Sequence, residues 1–215
     1  MRASSRHELI AGPAGRLECV IDMPALAPDA KPRGLALVAH PHPRFGGSLE
    51  NKVVHTLART FAEMGYVALR VNFRGVGQSE GAHDEGRGEI DDLRAALDWG
   101  RRELCNGSFV LAGFSFGAGM QSLLAERLAG QGLNAERLAL VGLSTKLCAA
   151  AVPPDTLVVH GEKDSTVPLA SVMDWARPQL LPVIVVPDTD HFFHGRLEIL
   201  RRALRLGFGW QDPAT

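Results

Sequence analysis

Short apolar runs separated by amphipathic stretches dominate this chain. Leu35–Ala39, Val67–Val71, Phe109–Ala112, Leu138–Val141, Leu157–Val159 and Val183–Val186 read as strands of the kind buried on both faces, which belong to a parallel sheet. Helical periodicity fills the gaps, at 49–64, 89–104, 116–129, 169–179 and 196–206. In the second of these, Ile90, Leu93, Leu97 and Leu104 share one face while Asp91, Asp92, Arg94 and Arg101 point away from it, as in a surface helix laid on a sheet. Ahead of them, after a frayed start, Arg16–Met23 alternates apolar and polar residues as an edge strand or hairpin arm, ended by the loop Pro24–Arg33. Strand and helix alternating in this way predict an α/β fold with a doubly wound, mostly parallel sheet flanked by helices. Residues 1–215 read as one domain.

Composition narrows the function. With 215 residues, 46% hydrophobic and 22% charged, the chain can bury one sizeable core. A formal net charge of -1 and a pI near 6.7 give no electrostatic case for nucleic acid or an anionic membrane as the main partner, and favour a small-molecule substrate. Cys19, Cys105 and Cys148 are too scattered for a disulfide framework or a C-x-x-C metal site, so they read as small apolar fillers in a reducing compartment. The first residues lead into no apolar signal segment and no run approaches a membrane span, so the expected location is cytoplasmic.

In an open parallel sheet, ligands bind beyond the carboxyl ends of the strands. There the sequence becomes unusual. Val110–Phe114 runs into Gly113-Phe114-Ser115-Phe116-Gly117, a G-x-S-x-G turn between a buried strand and a small-residue helix, the setting that exposes a serine as nucleophile. A nucleophilic serine needs a base to take its proton and a carboxylate to orient that base. Asp164 follows the fifth apolar run and His191 the sixth, in the chain order such enzymes use, with Glu162 and His194 as the competing carboxylate and imidazole. The bland alternative for Ser115 is a small turn residue.

Other motifs carry a resemblance. His40-Pro41-His42-Pro43 with Gly46-Gly47, Phe73-Arg74-Gly75-Val76-Gly77-Gln78-Ser79, and Gly113–Gly117 occur in order, and the match runs from about Arg16 to Leu206. In these the chain resembles the small lid-less serine hydrolases of the α/β-hydrolase superfamily, of dienelactone-hydrolase-like type. The resemblance implies an α/β-hydrolase fold without a cap domain and cleavage of an ester or similar acyl bond through an acyl-enzyme. In that chemistry Ser115 attacks, His191 acts as base and then acid, and Asp164 orients it. One oxyanion donor is expected at the backbone N–H of Phe116, after the nucleophile. Many relatives have His-Gly before the second donor. Here Pro41 and Pro43 have no N–H, which leaves the amide of His42.

Arg44 and Arg74 are candidate substrate contacts, with pairing to Glu89, Asp91 or Asp92 as the structural alternative. His40 and His42 lack a third ligand, so no metal is expected. Gly75-Val76-Gly77-Gln78-Ser79-Glu80 has Glu80 where a dinucleotide loop has its third glycine, so no cofactor is expected either. Between Val141 and Thr156 there is room for one short turn through Leu147–Ala151 and none for a lid, which favours short or compact acyl groups. Rival readings are a thioesterase or peptidase with the same three side chains, Arg44 and Arg74 holding an anionic group, and a non-catalytic binding module on the same scaffold. The free edge of the last strand leaves room for pairing with a second copy as a homodimer.

Overall fold

A computed structural model describes residues 4–149 and 151–210. Its centre is an eight-stranded sheet in the order β1-β2-β4-β3-β5-β6-β7-β8. The strands are β1 (Ser4–Gly12), β2 (Gly15–Met23), β3 (Gly34–Ala39), β4 (Val67–Val71), β5 (Ser108–Phe114), β6 (Arg137–Val141), β7 (Leu157–Gly161) and β8 (Val183–Val186). From β4 through β8 every pairing is parallel, and β1 and β2 form an antiparallel hairpin that joins β4 through β2. The doubly wound, mostly parallel sheet expected from the sequence is the observed one. The stretch expected to be frayed is instead β1, which pairs with β2 over its whole length from Ser4↔Met23 to Gly12↔Gly15. Its outward side chains are mostly exposed, so it lacks the apolar run that marks the buried strands.

The helices are α1 (Lys52–Glu63), α2 (Arg87–Glu103), α3 (Phe116–Ala129), α4 (Leu169–Ala176) and α5 (Leu197–Gly207). Strand alternation sorts the core into two layers. Leu35, Leu37, Leu69 and Leu111 meet Leu93, Leu97, Leu124 and Leu128 of α2 and α3 on one face. Ala36, Val38, Val110 and Ala112 meet Val53, Leu57 and Phe61 of α1 and Leu200 and Leu204 of α5 on the other. Because β4 lies on one side of β3 and β5 on the other, the chain reverses its winding there. A crevice therefore opens beyond the carboxyl ends of β3 and β5.

Local chemistry sets the element ends. α1 begins at Lys52 rather than at Leu49 because the Asn51 side chain caps it, accepting the Val53 N–H at 2.9 Å. α4 stops at Ala176 and continues as a 3₁₀ turn over Arg177–Gln179, since Pro178 has no N–H for the α-helical ladder. β8 is not buried on both faces: it is the sheet's edge, with Ile184 and Val185 exposed. Between β6 and β7 the chain makes a turn at Thr145–Lys146 and carries no helix among the described residues; within the stretch expected to turn, Ala150 lies outside them. No helix among the described residues is long and apolar enough to cross a membrane.

Candidate active site

The turn after β5 is a strained one. Ser115 has φ 55° and ψ −115°, a region that a residue with a side chain occupies only when its surroundings force it. The forcing contacts are visible. The Ser115 N–H donates to the Val141 carbonyl at 2.9 Å, and the Ser115 carbonyl accepts the amides of Ala118 and Gly119 in the first turn of α3. A side chain at Gly117 would stand 2.4 Å from the carbonyl oxygen of His40, so α3 can lie against the end of β3 only with glycine there.

His191 and Asp164 meet this serine from the loops after β8 and β7. His191 Nε2 lies 3.0 Å from Ser115 Oγ, and His191 Nδ1 lies 2.6 Å from Asp164 Oδ2. All three are buried, between 4 and 8% exposed, which strengthens each polar contact relative to water. Asp164 is aimed by its own loop: its Oδ1 accepts the amides of Thr166 at 2.9 Å and Val167 at 2.7 Å, leaving Oδ2 for the imidazole. That acceptor assigns the His191 proton to Nδ1 and leaves the Nε2 lone pair facing the serine hydroxyl. Two phenylalanines hold His191 in place. Phe193 is fully buried at φ 55°, and its N–H reaches back to the Asp190 carbonyl. The Phe114 ring packs against the imidazole at 4.8 Å.

The competing side chains lie elsewhere. Glu162 accepts the Asp188 amide on an exposed loop, and His194 pairs with Asp190 at 2.6 Å in solvent. Arg44 and Arg74 are not among the residues that line the cavity over Ser115, and each pairs with a carboxylate, the structural alternative left open by the sequence. Arg74 spends its guanidinium and its own amide on Asp92, at 2.7 to 3.2 Å, because that carboxylate is fully buried and has to be neutralised. Arg44 points into solvent toward Glu85 at 2.9 Å.

A cavity of about 260 Å³ opens over Ser115 and His191. Pro41, His42, Gly46 and Gly47 form one wall, Thr166 and Phe192 another, with Phe45 and Asn51 at the margin. Among the described residues, no Asp, Glu, Lys or Arg lines it. Two larger hollows of about 310 Å³ lie beside the β1–β2 hairpin and below β6; neither contains Ser115 or His191.

The loop carrying His42 is tightly held. The His42 carbonyl accepts the amides of Phe45 and Gly47, both at 3.1 Å, and its ring packs on Phe116 at 4.8 Å. Partial burial, and then the neighbouring His83, hold the His42 imidazole below its ordinary pKa. Phe116 opens α3, where an N–H has no acceptor within the helix.

Sequence reasoning gave no role to His160, His83, Phe45 or Phe192. His160 lies fully buried behind Asp164, with Nε2 2.8 Å from the Val167 carbonyl and 3.4 Å from Asp164 Oδ2. Burial lowers its pKa, so it is neutral there and its N–H supports the loop that aims the carboxylate. His83 stands behind His42, ring centroids 4.9 Å apart, with Nδ1 2.7 Å from Glu89. His160, four residues before Asp164 at the end of a strand, was the one position with a readable signal.

Residues 15–135, more than half of the chain and including Ser115, match the model of the X-Pro dipeptidyl-peptidase (S15) family. The chain belongs to this family of α/β-hydrolases. A protein of Xanthomonas campestris described as an α/β serine hydrolase without a lid is 37% identical, superimposes with a TM-score of 0.86, and is matched over 100% of this chain and 98% of that one. An α/β serine hydrolase homologue from Coxiella burnetii, also 37% identical, gives a TM-score of 0.79 over 93% and 95%. An uncharacterised protein of Rickettsia prowazekii is 32% identical over 90% of this chain and 84% of its own length. This α/β serine hydrolase shares with the Xanthomonas campestris protein a sheet and flanking helices without a lid.

Proposed function

We propose that this α/β-hydrolase cleaves carboxylic esters of short or compact acyl groups through an acyl-enzyme. The observation carrying the reading is the buried line from Ser115 Oγ through His191 to Asp164 Oδ2, at 3.0 and 2.6 Å. Ser115 Oγ attacks the ester carbon while His191 Nε2 takes its proton, and the carbonyl electrons move onto oxygen. The backbone N–H groups of Phe116 and His42 receive that oxyanion; His42 sits between two prolines, which restrict the backbone on both sides of its amide. Collapse expels the alcohol, which takes the proton from His191. Water then repeats the sequence on the acyl-enzyme and frees the acid.

The uncharged cavity favours esters over the other acyl donors. A substrate that presents a free amino-terminal dipeptide carries an ammonium group, and among the described residues no carboxylate lines the cavity to receive it. A coenzyme thioester carries phosphates, and Arg44 and Arg74 are both committed to carboxylates. The test is labelling with a fluorophosphonate probe. One adduct is expected on the intact protein and none on Ser115→Ala; an unlabelled wild type, or equal labelling of the variant, rejects the reading.

A further inference from the structure

We propose that Phe45 and Phe192 are the specificity-determining walls of this cavity and that they select esters bearing a flat aryl group, an inference that rests on the ester hydrolysis proposed above. Both rings are unusually open for phenylalanine: Phe45 is 86% exposed and Phe192 44%. Neither is a stray surface residue, because each is packed on a histidine of the site. Phe45 lies on the His42 ring at 5.0 Å, and Phe192 stands edge-on to His191 at 5.1 Å and 82°. The two phenyl rings line the same cavity without packing on each other, so the space between them is the substrate's.

The remaining wall, Pro41, Gly46, Gly47 and Thr166, is uncharged, and His42 is held toward its neutral form. A volume of about 260 Å³ falls below the 300 to 1,000 Å³ of ordinary ligand pockets and suits a compact group. Aromatic pairs gain most in offset or edge-to-face contact, which a planar ring offers and a puckered ring of equal carbon count does not. The two walls divide the ester. Phe45 shares a loop with His42, on the oxyanion side, and flanks the acyl part. Phe192 stands on His191, which returns the proton to the leaving oxygen, and flanks the alcohol part.

The experiment compares kcat/KM, each value divided by the same ester's rate of alkaline hydrolysis, for two substrate pairs matched in carbon number. These are methyl phenylacetate against methyl cyclohexylacetate, and benzyl acetate against cyclohexylmethyl acetate, hydrolysed by wild type, Phe45→Leu and Phe192→Leu. Leucine keeps the apolar bulk at these exposed positions, so folding is not at stake. In the wild type the aryl member of each pair is expected to be favoured about fivefold, a factor set by the strength of one aromatic contact. The first preference is expected to vanish in Phe45→Leu and the second in Phe192→Leu. Preferences near unity in the wild type, or unmoved by both substitutions, overturn the inference. If fluorophosphonate still labels Ser115, the hydrolase reading stands while the inference falls; if it does not, both fall.

Discussion

His40 and Phe73 are joined twice: the backbone N–H of Phe73 donates to His40 Nε2 at 3.1 Å, and the two rings meet edge-on at 4.6 Å. On its other side, His40 Nδ1–H donates to the Pro41 carbonyl at 2.6 Å. These partners suit neutral imidazole alone, because a second proton would face the Phe73 N–H. Burial accordingly pushes the His40 pKa down to about 4, the Pro41 carbonyl opposing it in part.

The unfolded chain takes up that proton near pH 6.5, where histidine ordinarily titrates, and the folded chain only near 4. Above pH 6.5 neither state is charged at this site and stability is unaffected. Between 6.5 and 4 the unfolded state binds more protons, so stability falls with pH, by about 3 kcal/mol across the window. His160, also lowered by burial, adds to the loss in the same direction. Urea unfolding at intervals from pH 7 to 4.5 checks this. His40→Asn should be less stable at pH 7 and show a shallower fall, and an unchanged slope would refute the assignment.

Substitutions along the Ser115–His191–Asp164 line should be severe and non-additive. Asp164→Asn retains an acceptor for the Thr166 and Val167 amides, so it should fold, but it presents the wrong partner to His191 Nδ1. A drop in kcat of roughly 10⁴-fold on p-nitrophenyl acetate is expected. Ser115→Ala should lose about 10⁶-fold, and the double variant with His191→Ala no more than that, since the groups act as one unit.

How much of this was legible in the sequence depends on what each element must satisfy. β3, β5 and β6 lie inside the sheet, so burial on both faces wrote them as apolar runs. β1 is held by backbone pairing to β2 with its side chains mostly in water, and nothing in its composition demands that. Ser115, Asp164 and His191 were readable because each stands just past an apolar run. Phe45 and Phe192 were not, since an exposed phenylalanine looks like any other until the cavity beside it is known. For Arg74 the sequence left Glu89, Asp91 and Asp92 open as partners, and packing decides among them because α2 buries Asp92 beside it.

The two arginines should respond to removal very differently in size. Arg74→Met leaves Asp92 buried without its partner, and a loss of about 3 to 5 kcal/mol of stability is expected. Arg44→Met breaks a solvent-exposed contact with Glu85 and should change stability by about 1 kcal/mol or less. Because neither lines the cavity, Arg44→Met should also leave the KM for small neutral esters unchanged. Thermal unfolding of the two variants, with KM for methyl acetate, separates these outcomes.

Gly142 offers a way to disturb His191 without touching it chemically. It lies just past β6 with φ 54°, and an added Cβ would lie 3.0 Å from Phe114 Cε2, 3.3 Å from His191 Cε1 and 3.4 Å from His191 Nδ1. The substitution Gly142→Ala thus carries two effects: backbone strain of about 1 kcal/mol in the left-handed region, and a push on the imidazole that hydrogen-bonds Ser115. Gly132, at φ 74°, separates them, because a Cβ there meets nothing within 4 Å. Gly132→Ala should lower the melting temperature and leave kcat alone. Gly142→Ala should show a similar loss of stability together with a fall in kcat of about 10 to 100-fold, the usual consequence of displacing a reacting group by a fraction of an ångström to an ångström. Equal kcat in the two variants would mean that the His191 ring yields to the methyl without leaving its line to Ser115.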